Sequence, residues 1–562
     1  MNKRRYREID PDQVLMDAHN SPHFDRDQFE GRMERPISKP VLYSVLGFFI
    51  FVALAYIVQA ANLQILHGSD YREQSQANLL RPVPIFAARG IIYDRNGVPL
   101  AWNAPASFGT TTPVDAESFV AERDYATSSG LAHVLGYVQY PSKDANGYYY
   151  QEDFDGVAGV EKYYDSILQG TNGSRLIEVD ARGKIVSQNV VHQPEAGQSI
   201  TLSIDSRVQS ALYNNIKDIA TRVGFNGGAG IIMDVHTGEV IAMTSYPEYS
   251  SQIMSDKIDQ TAVKSFLSDP SLPFLDRVTD GLYTPGSIVK PYIAMGALNE
   301  HIIDPLKIIH DTGSISVANP YNPSQVSVFR DWKAIGDEDM RKAIAMSSDV
   351  YFYTVGGGYK DQQGLGITRL DKYLSMFGFG STTAPSFFSG PNGLIPTPEW
   401  KKKTFNEDWY LGDTYHTSIG QYGFQVTPVQ VIRAVGAMAN EGTLLTPTII
   451  KGDTPQVEKT IGLPASYFDI VHEGMRQGVE YGVAKAIDVS YVQAAAKTGT
   501  AELGVSKANV NSWITGFWPY DKPKYAFAIV MDHGSVNNLI GAAAVMRQQL
   551  DWMHENTPDY FK

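Results

Sequence analysis

Three short segments hold the residues that could do chemistry: Ser287-Ile288-Val289-Lys290, Ser347-Ser348-Asp349 and Lys497-Thr498-Gly499-Thr500. A serine hydroxyl becomes a good nucleophile when a neighbouring base takes its proton, and a lysine serves as that base once burial or a nearby cation lowers its pKa. Lys290 follows Ser287 by three positions, so a helix over 287–299 puts both side chains on one face. Such a helix also points N–H groups at charge developing near Ser287 Oγ. Pro291 fits there, because first-turn N–H groups have no partner inside a helix. Taken alone Ser287 could be an ordinary helix cap, but the other two motifs make that the weaker reading. In the second segment, Ser347 can relay a proton between Lys290 and a leaving amine, and Asp349 can hold the lysine by a charge-assisted hydrogen bond. The same triplet is also a good helix cap or turn. In the third, Lys497 offers a cation, Thr498 and Thr500 offer hydroxyls, and Gly499 lets another backbone approach. Together these suit an extended peptide ending in a carboxylate, with Lys497 also placed to act on the pKa of Lys290. Each segment is weak alone; their order, after Pro285-Gly286 and before Ala501-Glu502, makes coincidence a poor explanation.

These segments need a scaffold. The chain has 562 residues, 43% hydrophobic and 19% charged, which is more than one core accommodates. Its 47 basic residues against 61 acidic ones give a net charge of −14, which argues against nucleic acid as a partner. The absence of cysteine excludes disulfides, thiolate metal sites and a cysteine nucleophile. Residues 41–60 carry no charge and match the roughly 20 apolar residues that cross a bilayer, with Tyr43 and Tyr56 near its two faces. A long leader precedes this run, so it reads as an uncleaved anchor over 41–61 rather than a signal peptide. Arg26, Arg32, Arg35 and Lys39 lie before it and Arg72 after it, which places the N-terminus in the cytoplasm and the bulk of the chain outside.

Residues 1–40 read as a cytoplasmic tail of balanced charge. From 62 to 225 the pattern is of short strands broken by turns, Asn96-Gly97 being the strongest hairpin signal. A β segment over 199–204 leads into a helix over 205–223, capped by Asp205 or Ser206. Asn226-Gly227-Gly228 then marks a boundary. Beyond it, 229–233 and 239–245 form a hairpin around His236-Thr237-Gly238, 512–518 and 525–531 form another around 520–524, and a helix covers 539–553. The second domain, 226–562, is therefore α+β, with an antiparallel sheet drawn from both of its ends and flanked by helices.

Together with these motifs, Arg89-Gly90, Tyr93-Asp94-Arg95-Asn96-Gly97, His133-Val134-Leu135-Gly136-Tyr137, the run 156–170, Ile419-Gly420-Gln421 and Thr427-Pro428 resemble the class B penicillin-binding proteins. Asp331-Trp332-Lys333 and the Ser-x-Asp form of the second motif, followed by Val350-Tyr351-Phe352-Tyr353, resemble the elongation type, penicillin-binding protein 2. The resemblance implies a penicillin-binding (serine-transpeptidase) domain on a β-rich pedestal, a dimerisation-like domain, over 62–225. It implies a D,D-transpeptidase that cross-links D-Ala-D-Ala stem peptides of peptidoglycan. Ser287 forms the acyl-enzyme, the backbone N–H groups of Ser287 and Thr500 form the oxyanion hole, and β-lactams acylate the serine. It further implies a SEDS-family glycosyltransferase of the elongation machinery as partner, and no cofactor. The short stretch between Asn103 and His133 gives the pedestal a reduced head. The segment 334–339 lacks the histidines many elongation-type members carry there, so no metal is expected. Gln421-Tyr422-Gly423 replaces the usual Gln-Gly, a change expected to alter a loop rather than a reacting group. A β-lactamase or β-lactam sensor would share the three motifs, but the Glu-x-x-Leu-Asn segment of one such class is missing. A D,D-carboxypeptidase would differ only in the acceptor, and a scaffold that activates a membrane glycosyltransferase would not need intact motifs.

Overall fold

The computed structural model describes residues 38–72, 80–104, 122–145, 149–179, 185–319, 322–381 and 386–562. Arg26, Arg32 and Arg35, nearly all of the tail read over 1–40, and the centre of the short head lie outside the described residues. Among those described, one unit carries the helix Lys39–Ala61, and a second, Pro82–Leu176 with Gln188–Lys562, carries the three motifs.

Lys39–Ala61 continues through a π turn, Asn62–Leu66, and buries none of its side chains. It is apolar all round, with Phe48, Phe49, Phe51 and Tyr56 exposed, whereas a helix lying on a protein would keep a polar face. Its 23 residues reach about 34 Å, enough to cross a bilayer.

In the second unit, strands Val240–Tyr246, Gly227–Asp234, Tyr525–Ser535, Asn509–Trp518 and Ala495–Leu503 lie side by side in that order. All neighbours are antiparallel. Successive side chains point to opposite faces, and both faces are covered. Ile231, Met233, Trp513, Phe517, Ala528 and Val530 join one core with the buried helix Lys290–Asn299. Ile232, Ile514, Phe527, Ile529 and Met531 join another with helices Ser206–Val223 and Ala542–Asn556. This double burial explains the unbroken apolar runs of these strands.

Two of the motifs read before residue 200, Arg89-Gly90 and the run 156–170, hold each other. Arg89, from Arg89-Gly90, donates to Glu161 Oε2 at 2.6 Å and Asp165 Oδ1 at 2.7 Å, both in the run 156–170. Arg123 donates to the other Glu161 oxygen at 2.8 Å, so one fully buried carboxylate is shared by two buried guanidinium groups. Gly136 and Gly159 interlock: a Cβ on Gly136 would lie 1.7 Å from Ala158 O, which no side chain tolerates.

Two elements outside the three motifs differ in extent from the sequence reading. The closing helix runs Ala542–Asn556 rather than 539–553, because extended Gly541 interrupts the chain and Ser512 Oγ accepts the first N–H, from Ala542. The β segment read over 199–204 is a strand only at Ile200–Thr201, since its parallel partner Ile92–Tyr93 is itself two residues long. The helix after it is Ser206–Val223, with Asp205 accepting Arg207 N–H as the cap.

Candidate active site

Ser287 lies in a 3-10 turn, Gly286–Val289, and the α-helix begins only at Lys290. The expected helix over 287–299 is thus split, and Pro291 is the cause. An α turn would need its N–H to reach Ser287 O; proline has none, and Lys290 N–H closes the turn instead. Gly286 adopts φ +58°, with its carbonyl so close to Gly420 that a Cβ there would stand 2.1 Å away. Gly286 N–H donates to Gly420 O at 3.0 Å, so the Ile419-Gly420-Gln421 segment backs the serine turn.

Lys290 is fully buried, with its ammonium 5.6 Å from the Phe352 ring centre. It donates to Asp349 Oδ1 at 2.6 Å and to Ser347 O at 2.8 Å, and lies 3.4 Å from Ser347 Oγ. Among the described residues no hydrogen bond joins it to Ser287. The second motif is the joint between helices Met340–Met346 and Asp349–Gly357, so the cap reading of it applies, and its flanking residues lie against Lys290. Ser348 is the cap, its Oγ accepting Tyr351 N–H, while Ser347 and Asp349 on either side meet the lysine. Ser347 takes the left-handed conformation, φ +59°, which turns its carbonyl and hydroxyl together toward Lys290.

Lys497 lies on Ala495–Leu503, one of the two edge strands of the sheet. Its ammonium donates to Ser347 Oγ at 2.8 Å and to Thr498 O at 2.7 Å. A hydroxyl oxygen has two lone pairs, so Ser347 can accept from both lysines and keep its own O–H for a third group. Lys497 is fully buried, and its pKa falls well below the ordinary lysine range, first through burial and then through the positive Lys290. Lys497 is therefore the lysine whose charge the site disfavours, while Asp349 pairs directly with Lys290. Burial in turn pushes the Asp349 carboxyl up, against the pull of Lys290.

The edge strand passes the serine turn closely. A Cβ on Gly499 would stand 2.7 Å from Pro285 O, and one on Gly286 3.0 Å from Thr500 O. In a strand the N–H and C=O of one residue point the same way, so the Thr500 N–H also faces the Ser287 turn. Thr500 is exposed and Thr498 half-buried, on the face opposite Lys497 and Gly499. Tyr422, in the altered Gln421-Tyr422-Gly423 loop, sits edge-on to Trp400 and Trp409 and touches none of these groups. Phe352, Gly286, Gly420 and Asp331 appear in the sequence reading only within longer runs and without a role in the site, and Glu338 only as part of the segment 334–339. Asp331-Trp332-Lys333 and the acidic run 337–339 were the available signals.

Residues 228–551 match the family model of the penicillin binding protein transpeptidase domain, and residues 117–202 that of the penicillin-binding protein dimerisation domain. The peptidoglycan D,D-transpeptidase MrdA of Escherichia coli (strain K12) is 29% identical to this chain, over 91% of it and 93% of that protein. Among solved structures, Pseudomonas aeruginosa PBP2 in complex with WCK 5153 is similar at TM-score 0.66 and 30% identity, covering 84% of this chain and 98% of that one. The PBP2 of Helicobacter pylori in complex with MreC is similar at TM-score 0.68 and 26% identity, over 85% of this chain and 100% of that one.

Proposed function

Because the chain belongs to the penicillin-binding protein transpeptidase family, we propose that Ser287 is the nucleophile with which it cross-links stem peptides. The chain is a peptidoglycan D,D-transpeptidase of the elongation type, and an enzyme of the serine acyl-transfer class. The observation that carries the assignment of residues is the convergence on Ser347 Oγ of two buried lysines from separate motifs, beside the turn that holds Ser287.

A stem peptide laid along the edge strand would pair its backbone with the free side of Ala495–Leu503, as extended peptides do on exposed sheet edges. Its terminal carboxylate would meet Thr498, Thr500 and the positive end of the site. Ser287 Oγ attacks the carbonyl of the penultimate D-Ala as Lys290, in its neutral form, takes the hydroxyl proton. The developing oxyanion is held by the N–H groups of Ser287 and Thr500. Lys290 returns the proton through Ser347 to the leaving D-Ala nitrogen, with Asp349 and Lys497 fixing the relay. The amine of a neighbouring stem then attacks the ester, and the same groups run in reverse. A β-lactam takes the substrate's place and remains on Ser287 as a stable ester.

The test is incubation of the full-length protein with a D-Ala-D-Ala pentapeptide and an acceptor amine. Release of D-Ala matched by amide product is expected. Release without amide at saturating acceptor would make the enzyme a carboxypeptidase, and neither product would refute the reading.

The apolar helix anchors the chain in the bacterial cell membrane, and the Arg26, Arg32, Arg35 and Lys39 bias supports a cytoplasmic N-terminus with the catalytic part outside. A reporter active only outside the cytoplasm is expected to work fused after Lys562 and to fail before Met1; the reverse would refute the orientation. The MreC complex of the Helicobacter pylori relative supports an elongation partner for this chain also, and its family supports a SEDS-family glycosyltransferase beside it in the membrane.

A further inference from the structure

Ser348, between the two residues of the second motif that meet the lysines, is fully buried, and its single hydroxyl has too many neighbours for one hydrogen. It accepts Tyr351 N–H at 3.0 Å. It also lies 2.6 Å from Glu338 Oε1 and 3.2 Å from Asp331 Oδ2, which itself accepts Val350 N–H at 2.8 Å. Two ionised carboxylates would compete for one proton, leaving one pair of oxygens at hydrogen-bond distance with nothing between them. Moreover, Glu338 is fully buried and its Oε2 has no hydrogen-bond partner among the described residues, a poor setting for half a negative charge. One added proton resolves every contact. Glu338 O–H donates to Ser348 Oγ, Ser348 O–H donates to Asp331 Oδ2, and Asp331 takes Val350 N–H.

Resting on the assignment of Ser287 as nucleophile, we propose that Glu338 is a positioning residue for acyl transfer, fixing the second motif through the Ser348 hydroxyl. Ser347 holds a left-handed conformation that a non-glycine residue keeps only when its surroundings over-determine it. Anchoring Ser348 supplies that constraint, and with it the placing of Ser347 O and Oγ against Lys290 and of Asp349 against the same ammonium.

The groups around Glu338 agree with the neutral form. Its strand, Gly336–Glu338, pairs with Ile309–Asp311, which brings buried Asp311 alongside; Asp331 faces it across Ser348, and the nearby Tyr351 hydroxyl has no partner among the described residues. Lys290 is the cation among them, already paired with Asp349, and Asp339 is occupied capping the next helix through Lys342 N–H. Burial, reinforced by Asp311 and Asp331, raises the Glu338 carboxyl to about 8, against the pull of Ser348 and Lys290. The carboxyl is therefore protonated below that pH, and the arrangement is lost as pH rises through it.

The experiment compares second-order acylation by a fluorescent penicillin for the full-length wild type, Glu338→Gln and Glu338→Ala between about pH 6 and pH 9.5. Glutamine keeps a neutral donor where the acid has one. At the acid end Glu338→Gln should acylate within about twofold of wild type, with an unchanged Tm, and Glu338→Ala about tenfold or more slower. The ratio of Glu338→Gln to wild type should then climb about tenfold toward pH 9.5, because every other pH effect is common to both proteins and cancels. A flat ratio, or a Glu338→Gln variant as slow or as unstable as Glu338→Ala, would overturn the proposal. Wild type that fails to label at Ser287 would instead overturn the nucleophile assignment.

Discussion

Replacing Ser287 with alanine is expected to abolish covalent labelling by a penicillin while leaving the fold intact. The serine lies in a turn set by backbone: Gly286 at φ +58°, the Gly286 N–H to Gly420 O bond, and the proline that forces Lys290 N–H onto Ser287 O. Among the described residues no hydrogen bond holds the Ser287 side chain, so deleting Oγ removes the reacting atom and little else. Ser347 is the other hydroxyl near a lysine, but it is nearly buried and accepts from Lys497 at 2.8 Å. An unchanged Tm with labelling at background is the predicted pair of results. Labelling of Ser287→Ala at wild-type rate would refute the assignment.

Lys290→Arg is expected to be nearly as damaging. The guanidinium preserves the charge facing Asp349, yet it stays protonated and cannot accept the serine proton. Loss of a general base lowers the rate by about 10² to 10⁴. The site is also fully buried, so the larger planar group must displace Ser347 or Phe352. Lys497→Arg retains a donor toward Ser347 Oγ and should lose less, about one to two decades, the worth of one charge-assisted contact. Acylation rates of both variants against one penicillin decide the matter. If Lys290→Arg acylates faster than Lys497→Arg, the roles proposed for the two lysines are wrong.

The reacting groups were legible because each motif is contiguous and its chemistry depends on residue type and local spacing. The sheet was legible for a related reason. Its four longest apolar runs are bounded by strong turn signals, and those between Gly227 and Tyr246 and between Asn509 and Ser535 pair as hairpins. What could not be read depends on distances between segments far apart in the chain. That the pKa of Lys497 is depressed follows from its burial and from Lys290 lying close to it, which only the fold decides. That Ser348 matters follows from Glu338 and Asp331 arriving on two other elements. The split of the serine helix was written in Pro291, whose missing N–H was read as tolerated rather than as the reason for a 3-10 turn.

The central claim is that one serine, in the turn beside the two lysines, carries the acyl group. Mass spectrometry of proteolytic peptides from penicillin-treated full-length protein tests it most directly. The expected result is one adduct, with the mass of the opened penicillin, on the peptide containing Ser287 and located to that residue by fragmentation. An adduct confined to a peptide containing Ser347, or to any peptide without Ser287, would contradict the account.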